Sequence, residues 1–104
     1  PIIGNASVSY LPDSKVIGIS KLARVVDIFA KRLQTQENLT AQICNSIQDI
    51  LKPKGVAVYV YAEHFCIKCR GIKKENVSMI TSHFTGIFKK NRDYKKRFLD
   101  YLEK

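Results

Sequence analysis

The sequence predicts an α+β domain in which an antiparallel sheet packs against two helices on one face. Two observations lead to this fold class. Apolar residues recur at helical spacing in two long segments, 20–33 and 39–51, and strand-like runs precede and follow them. The predicted order is strand, helix, helix, strand, strand, helix, and two helices between strands must pack on one face of a mostly antiparallel sheet.

The first half of the chain is predicted to hold one strand and both long helices. Residues 5–11 alternate as a strand does and are followed by a turn over 12–15. Ser20 is expected to be the N-cap of the first helix. The apolar stripe of that helix consists of Leu22, Val25, Val26, Phe29 and Leu33. The stripe of the second helix consists of Leu39, Ile43, Ile47, Ile50 and Leu51, and residues 53–55 end it.

The second half is predicted to hold two strands and a last helix. The apolar, β-branched run 56–62 reads as a buried strand, 73–76 as a turn and 77–88 as another strand. Residues 91–93 open the last helix, whose apolar side consists of Tyr94, Phe98, Tyr101 and Leu102. Cys44, within the second helix, is expected to be packed in the core. Three strands leave exposed sheet edges, so we expect sister subunits to cover them.

Composition limits the class of protein but does not choose its ligand. The 104 residues fit one domain, 1–104, and because the sequence does not begin with Met we expect it to be a fragment of a longer chain. The 18 basic and 9 acidic residues give a net charge of +9, which favours nucleic acid, a membrane surface or a polyphosphate as partner. Three cysteines without paired spacing predict a reduced, intracellular protein. No apolar run approaches the ~20 residues that span a bilayer.

The segment 62–71 combines groups that could bind metal and anions. His64 and Cys66 are two residues apart, so an extended chain places imidazole and thiol on one face, as in half of a zinc site. The alternative is a packed histidine beside a buried thiol. Lys68 and Arg70 continue the alternation and add positive charge, whereas Cys69 is expected on the opposite face.

Three further groups each have a functional and a structural interpretation. Ser20, Lys21 and Arg24 at a helix N-terminus could bind phosphate, or they could be a cap with two solvated bases. Gln36 and Glu37 could read the edge of a guanine, or they could be a polar helix start. The basic tail 89–97 could contact nucleic acid, but its aromatic residues have the spacing of a helix core.

These groups occur together, and in order, in one family: the chain resembles GTP cyclohydrolase I over essentially its whole length. The matching text is Gly-Ile-Ser-Lys-Leu-Ala-Arg at 18–24, Arg-Leu-Gln-Thr-Gln-Glu-Asn-Leu-Thr at 32–40, and Val56-Ala57-Val58 leading to His64-Phe65-Cys66 and Arg70-Gly71. The stretch 81–88 fits more loosely. Four linked motifs with the right gaps are a stronger signal than any one of them.

The resemblance implies a T-fold subunit, whose sheets join edge to edge into rings, and a cytoplasmic homo-oligomer, a decamer of two stacked pentamers. It implies hydrolysis of GTP to 7,8-dihydroneopterin triphosphate and formate, the first step of folate and pterin synthesis, with zinc as cofactor and with no nucleic-acid or membrane partner. By matching positions, Cys66 corresponds to a zinc ligand and His64 to the catalytic acid/base. Gln36 and Glu37 correspond to the guanine anchor. The residues that correspond to the triphosphate clamp are Ser20, Lys21, Arg24 and Arg70.

The chain also departs from the family pattern. In the family, a Cys-Glu-His-His motif that completes the zinc site lies just upstream of the residues that match Pro1, so these 104 residues alone are expected to be inactive. Tyr61 stands where an acidic residue is expected, and Cys69 where a small or apolar one is. The alternatives are a non-catalytic T-fold paralogue or truncated subunit and, from the charge alone, a small basic nucleic-acid-binding module.

Overall fold

The structure, a computed structural model, describes residues 2–14, 16, 18–31, 34–65 and 76–103. Its elements are β1 (Ile2–Leu11), α1 (Ile19–Ala30), α2 (Gln36–Leu51), β2 (Gly55–Phe65), β3 (Asn76–Gly86), α3 (Ile87–Lys90) and α4 (Arg92–Leu102). The predicted order of elements is confirmed, with α3 as an added short turn of helix. None of the helices in these described ranges is long and apolar enough to cross a lipid bilayer.

The three strands form one antiparallel sheet in the order β1-β2-β3, as predicted. In the middle of the sheet Val58 lies opposite Val8 of β1 and His83 of β3. Because side chains alternate along a strand, Val56, Val58 and Val60 share one face of β2 and Ala57 lies on the other. All four are buried, so the central strand is covered on both faces.

The helices α1 and α2 cover the valine face, which confirms the predicted arrangement of two helices on one face. From α2 the core residues are Ile43, Cys44, Ile47 and Leu51, and α1 adds Leu22, Val25, Val26 and Phe29 at the margin. Leu33 lies outside the described residues. The prediction for Ile50 is wrong, since this side chain is 57% exposed. Both Ile50 and Leu51 follow Ile47 at helical spacing, but the core side of α2 admits only the latter.

The C-terminal helices cover the opposite face of the sheet. Phe88 of α3 and Phe98 of α4 pack on Ala57, whose small side chain leaves room for the two rings. The rings of Phe84 and Phe98 meet edge to face, with centroids 6.0 Å apart and an interplanar angle of 87°. Tyr94 and Leu102 pack against this cluster as predicted. The prediction for Tyr101 is wrong, because its side chain is 75% exposed. The next residue, Leu102, packs against the cluster instead.

Several predicted boundaries also differ from the observed ones, and β1 (Ile2–Leu11) and β2 (Gly55–Phe65) are longer than the predicted strands 5–11 and 56–62. Helix α1 begins at Ile19 with Gly18 as its N-cap, and the Gly18 carbonyl oxygen accepts from Lys21 N at 3.0 Å and Leu22 N at 3.2 Å. Ser20 therefore lies inside the first turn, where its backbone is helical and it cannot act as the cap. Strand β3 ends at Gly86 and not at residue 88. Of the turn predicted over 73–76, residues 73–75 lie outside the described ones, and Asn76 already belongs to β3.

Gly86 ends β3 because it adopts a backbone conformation that other residues resist. Its φ is +57°, and a Cβ at this position would collide with the carbonyl oxygen of Lys54 and lie 2.8 Å from Gly55 Cα. The same carbonyl accepts a hydrogen bond from Ile87 N at 2.9 Å. This close approach joins the start of β2 to the start of α3 and directs the chain onto the second face of the sheet.

We expect Gly86→Ala to lower the free energy of unfolding by about 1–3 kcal/mol, because alanine is strained at this φ. Gly18→Ala is the matched control, since Gly18 has a φ of −69° and a Cβ added to it would meet no atom within 4 Å. Because alanine is a poorer N-cap than glycine, the control should lower the free energy of unfolding by at most about 1 kcal/mol, and by less than Gly86→Ala does. Urea denaturation of both variants measures the difference, and equal effects would contradict the assignment of strain to Gly86.

Candidate functional site

Gln36 and Glu37 lie in the first turn of α2. Thr35 is the N-cap: its backbone is extended, and its side-chain oxygen accepts from Asn38 N at 3.2 Å. Gln36 is thus the first helical residue and Glu37 the second, where a carboxylate is favoured by the helix dipole. The polar start of α2 therefore has a local structural basis of its own.

The side chain of Gln36 points into the protein and is 6% exposed. Its Nε2 lies 3.2 Å from Val60 O, 3.1 Å from Met79 O and 3.1 Å from Thr81 Oγ1. Carbonyl oxygens only accept, so the contacts with Val60 and Met79 identify the nitrogen end of the amide. The side chain thereby ties the start of α2 to both β2 and β3.

Glu37, the next residue, is exposed at the same end of α2. The structure thus separates the two members of the pair that the sequence singled out: the amide donors of Gln36 meet protein acceptors, and the carboxylate of Glu37 faces outward. Of the two side chains, that of Glu37 is the one presented at the surface for a ligand.

Beside Gln36, residues of α1, α2 and the sheet line a cavity of about 230 Å³ that is partly open to solvent. Its wall is mainly apolar, with the amides of Asn5, Gln34 and Gln36 as polar groups. Val26 and Ala30 contribute the α1 side of the wall. Pockets that enclose drug-sized ligands measure roughly 300–1,000 Å³, so one chain does not enclose such a ligand here.

Ser20, Lys21 and Arg24 lie exposed on α1. Arg24 is three residues from Lys21 and four from Ser20, so the three side chains share one side of the helix. No acidic residue lies in the first turn of α1, and the ion pair found among the described residues, Lys31–Asp27, is at the other end of the helix. Both cations therefore lack a carboxylate partner within the described part of the chain.

The three residues of the cation group lie at different distances from the cavity along α1. Ser20 precedes Ala30 of the cavity wall by ten residues, about 15 Å of helix at a rise of 1.5 Å per residue. Arg24 precedes Val26, which also lines the cavity, by two residues, about 3 Å along the helix axis. Arg24 is therefore the cation nearest to the cavity wall along α1.

Of the other predicted site residues, the structure describes only the backbone of His64. The backbone of His64 lies near the end of β2, opposite Ile2 of β1 and Val77 of β3. The side chain of His64, together with Cys66 and Arg70, lies outside the described residues. Among those that are described, no three His, Cys, Asp or Glu side chains form a group that could hold a metal ion. These side chains alone do not fit a zinc site, and the assignment of Cys66 stays a prediction.

Cys44 is confirmed as a core residue. It is fully buried, and its Sγ lies 3.6 Å from His83 O and 3.8 Å from Val56 O. Burial raises the pKa of the thiol from 9.0 to about 11, and a hydrogen bond with Thr85 opposes this rise in part. The thiol keeps its proton at neutral pH, which makes it an unsuitable metal ligand.

Two threonines beside Gln36 were not singled out by the sequence. Thr40 Oγ1 donates to Gln36 O at 2.8 Å and lies 2.7 Å from Thr81 Oγ1. Thr40 is 1% exposed and faces the sheet, as its position one turn after Gln36 in the helix requires. That spacing was the available signal for Thr40, whereas the contact with Thr81 spans 41 residues of sequence.

Comparison with known proteins gives one consistent result. Residues 1–103 match the model of the family described as GTP cyclohydrolase I. The chain is 61% identical over 102 residues to proteins named GTP cyclohydrolase 1 from Brucella suis and Brucella abortus, and 60% identical to one from Brucella canis. In each case the match covers 98% of this chain and 48% of the relative. The chain thus spans about half the length of these relatives.

We expect the stabilising contribution of Cys44 to decrease between about pH 9 and pH 11, the range set by its raised pKa. In that range the unfolded chain releases the thiol proton and the folded chain retains it, so the free energy of unfolding falls as pH rises. Other groups titrate there too, so Cys44→Ala serves as the reference. Urea denaturation should show the gap between wild type and variant narrowing with pH, and a constant gap would contradict a raised pKa.

Proposed function

Because the chain belongs to the GTP cyclohydrolase I family, we propose that the protein of which it forms part hydrolyses GTP. The reaction consumes one water and yields 7,8-dihydroneopterin triphosphate and formate, which would begin folate or pterin synthesis. The observation that carries the proposal is the 61% identity to proteins named GTP cyclohydrolase 1 across 98% of the chain. The geometry at the start of α2 supports it with a group suited to guanine.

Guanine recognition falls to Glu37 in this proposal. The base presents two adjacent donors on one edge, the ring N1–H and the 2-amino group. An ionised carboxylate offers two acceptor oxygens at matching separation and makes strong, charge-assisted bonds to such a pair. Adenine has an unprotonated N1 and no 2-amino group, so the same carboxylate would meet a lone pair and gain nothing. Gln36 would support this recognition by anchoring the first turn of α2 to the sheet through its contacts with Val60 and Met79.

Phosphate recognition falls to the cations. Lys21 and Arg24 lie exposed on one side of α1, with Ser20 beside them and no acidic residue in the first turn. With Arg70, they would bind the triphosphate by charge-assisted hydrogen bonds. Binding energy from this part of the substrate, remote from the reacting carbon, can orient the base for reaction.

Proton transfer falls to His64, whose imidazole titrates near neutral pH and can act as acid and base in turn. It would protonate the leaving nitrogen as the imidazole ring of guanine opens. Cys66 would be one of the ligands of a zinc ion, with the other ligands supplied from outside these 104 residues. When bound, zinc would supply a Lewis acid that lowers the pKa of a water molecule.

Assembly follows from the sheet and the cavity. Within the described residues, β1 and β3 each pair on one side only and leave their outer edges open. The cavity beside Gln36 is too small for a nucleotide, and the cations Lys21 and Arg24 lie exposed on α1. We propose that copies of the chain join edge to edge in the T-fold manner, as a decamer of two stacked pentamers, in the cytoplasm. Neighbouring subunits would then enclose the substrate that one chain cannot enclose alone.

The test of the proposed function compares two acidic residues of α2 in the full-length protein. We expect Glu37→Gln to reduce kcat/KM for GTP by roughly 10- to 100-fold. The amide carries no charge, and its NH₂ group would face one of the two N–H donors of guanine. Asp49→Asn removes an exposed charge from the same helix and should leave kcat/KM unchanged. Formate release is the measurement. A wild-type protein that releases no formate from GTP would contradict the proposal and favour a non-catalytic paralogue.

The metal assignment is tested with two neighbouring cysteines. We expect the full-length protein to bind about one zinc per subunit and Cys66→Ser to lose it. Cys69→Ser is the matched control and should retain zinc, because an extended chain places Cys69 on the other face from Cys66. His64→Ala should also retain zinc but lose formate release, since its role is proton transfer. Elemental analysis decides, and a Cys66→Ser protein with full zinc content would refute the assignment.

A further inference from the structure

We propose that Thr81 and Thr40 are positioning residues for Glu37. With Gln36 they form a closed ring of hydrogen bonds that fixes the first turn of α2 on the sheet, and thereby fixes the exposed carboxylate that follows. The inference rests on the proposed function, in which Glu37 recognises guanine. It adds two residues that touch neither substrate nor reacting atoms.

The direction of each hydrogen bond in the ring follows from counting protons. Thr40 Oγ1 lies 2.8 Å from Gln36 O, a carbonyl oxygen, so Thr40 must donate there. A hydroxyl has one proton, so the 2.7 Å contact between Thr40 Oγ1 and Thr81 Oγ1 takes its proton from Thr81. The oxygen of Thr81 then accepts from Gln36 Nε2 at 3.1 Å. The three hydrogen bonds therefore run in one direction, from the Gln36 side-chain amide to Thr81, from Thr81 to Thr40, and from Thr40 to the Gln36 carbonyl oxygen.

The ring is mostly buried, and hydrogen bonds are stronger in the protein interior than in water. Thr40 and Gln36 are buried, at 1% and 6% exposure, and the two N–H groups of the Gln36 amide serve three acceptors, Thr81 Oγ1, Val60 O and Met79 O. In surroundings of low dielectric, linked hydrogen bonds polarise one another, and a broken member leaves a buried polar group without a partner. One residue of α2 is therefore held at once by β2, by β3 and by its own helix.

The consequence for Glu37 is geometric. It follows Gln36 directly, so any shift or rotation of the first turn displaces its carboxylate by a similar amount. A two-point contact with the guanine edge tolerates only small errors in position and angle. Loss of the ring should therefore weaken the contact with the 2-amino group more than it weakens the rest of substrate binding.

The same helix and strand provide a matched control. Thr85 lies four residues after Thr81 on β3 and also faces α2, where its Oγ1 donates to Gln48 Oε1 at 2.8 Å and accepts from Val56 N at 3.1 Å. This second contact joins the same two elements, but Gln48 is twelve residues from Gln36, about 18 Å along the helix. Its loss should affect stability without displacing Glu37.

The experiment compares Thr81→Val and Thr85→Val in the full-length protein. Valine preserves shape and suits a strand, so each variant loses a hydroxyl and little else. We expect similar decreases in thermal midpoint. For Thr81→Val alone, the preference for GTP over inosine triphosphate, which lacks the 2-amino group, should fall by about tenfold, equivalent to one hydrogen bond. Thr81→Ser keeps the hydroxyl and should restore the preference.

The outcomes separate the inference from the proposed function. If wild type prefers GTP and the two valine variants retain that preference equally, the ring is structural only and the inference is overturned. If wild type does not act on GTP, the proposed function fails and the inference fails with it. Should Thr81→Val not fold, Thr40→Val breaks the same ring from the helix side, and its preference for GTP must fall in the same way.

Discussion

The central strand β2 is buried on both faces, and the position of every other element depends on this packing. Val56, Val58 and Val60 face α1 and α2, while Ala57 faces the aromatic rings of α3 and α4. Because side chains alternate along a strand, a shift of one residue in register would exchange the two faces. The valines could not admit the rings that Ala57 admits, so the register of the sheet and the placement of the helices are fixed together.

Once α2 lies on the valine face, polar contacts determine where along the sheet it begins. Its apolar side chains bury area but have no strict direction, whereas the amide of Gln36 must meet acceptors at hydrogen-bond distance. It finds them at Val60 O, Met79 O and Thr81 Oγ1, and Thr40 links Thr81 to the main-chain carbonyl of Gln36. Glu37 then emerges at the surface in a defined place. Apolar packing thus places α2 on the sheet, and hydrogen bonds between a few buried polar atoms determine the position of Glu37.

Periodicity predicted the elements well and their exact limits less well, for identifiable reasons. Ser20 and Gly18 are both acceptable N-caps, and the choice depends on where the chain arriving from β1 enters the helix. Ile50 adjoins the buried Leu51, and Tyr101 adjoins the half-buried Leu102. The members of each pair have equivalent helical spacing, so the sequence could not decide which of the two faces the core. The burial of Gln36 depends on partners 24 and 43 residues away, which no local pattern reveals. The site itself was predicted from family motifs, and for Glu37 the structure adds an exposed position over an anchored turn.

The most direct test of the account is a structure of the full-length protein with GTP bound, for which the His64→Ala variant would preserve the substrate. The quantity to measure is the distance from the Glu37 carboxylate oxygens to N1 and to the 2-amino nitrogen of guanine. We predict that both distances correspond to hydrogen bonds of about 2.7–3.2 Å, and that the hydrogen-bonded ring of Gln36, Thr81 and Thr40 is intact in the same structure. A guanine bound away from Glu37, with that carboxylate left in solvent, would contradict it.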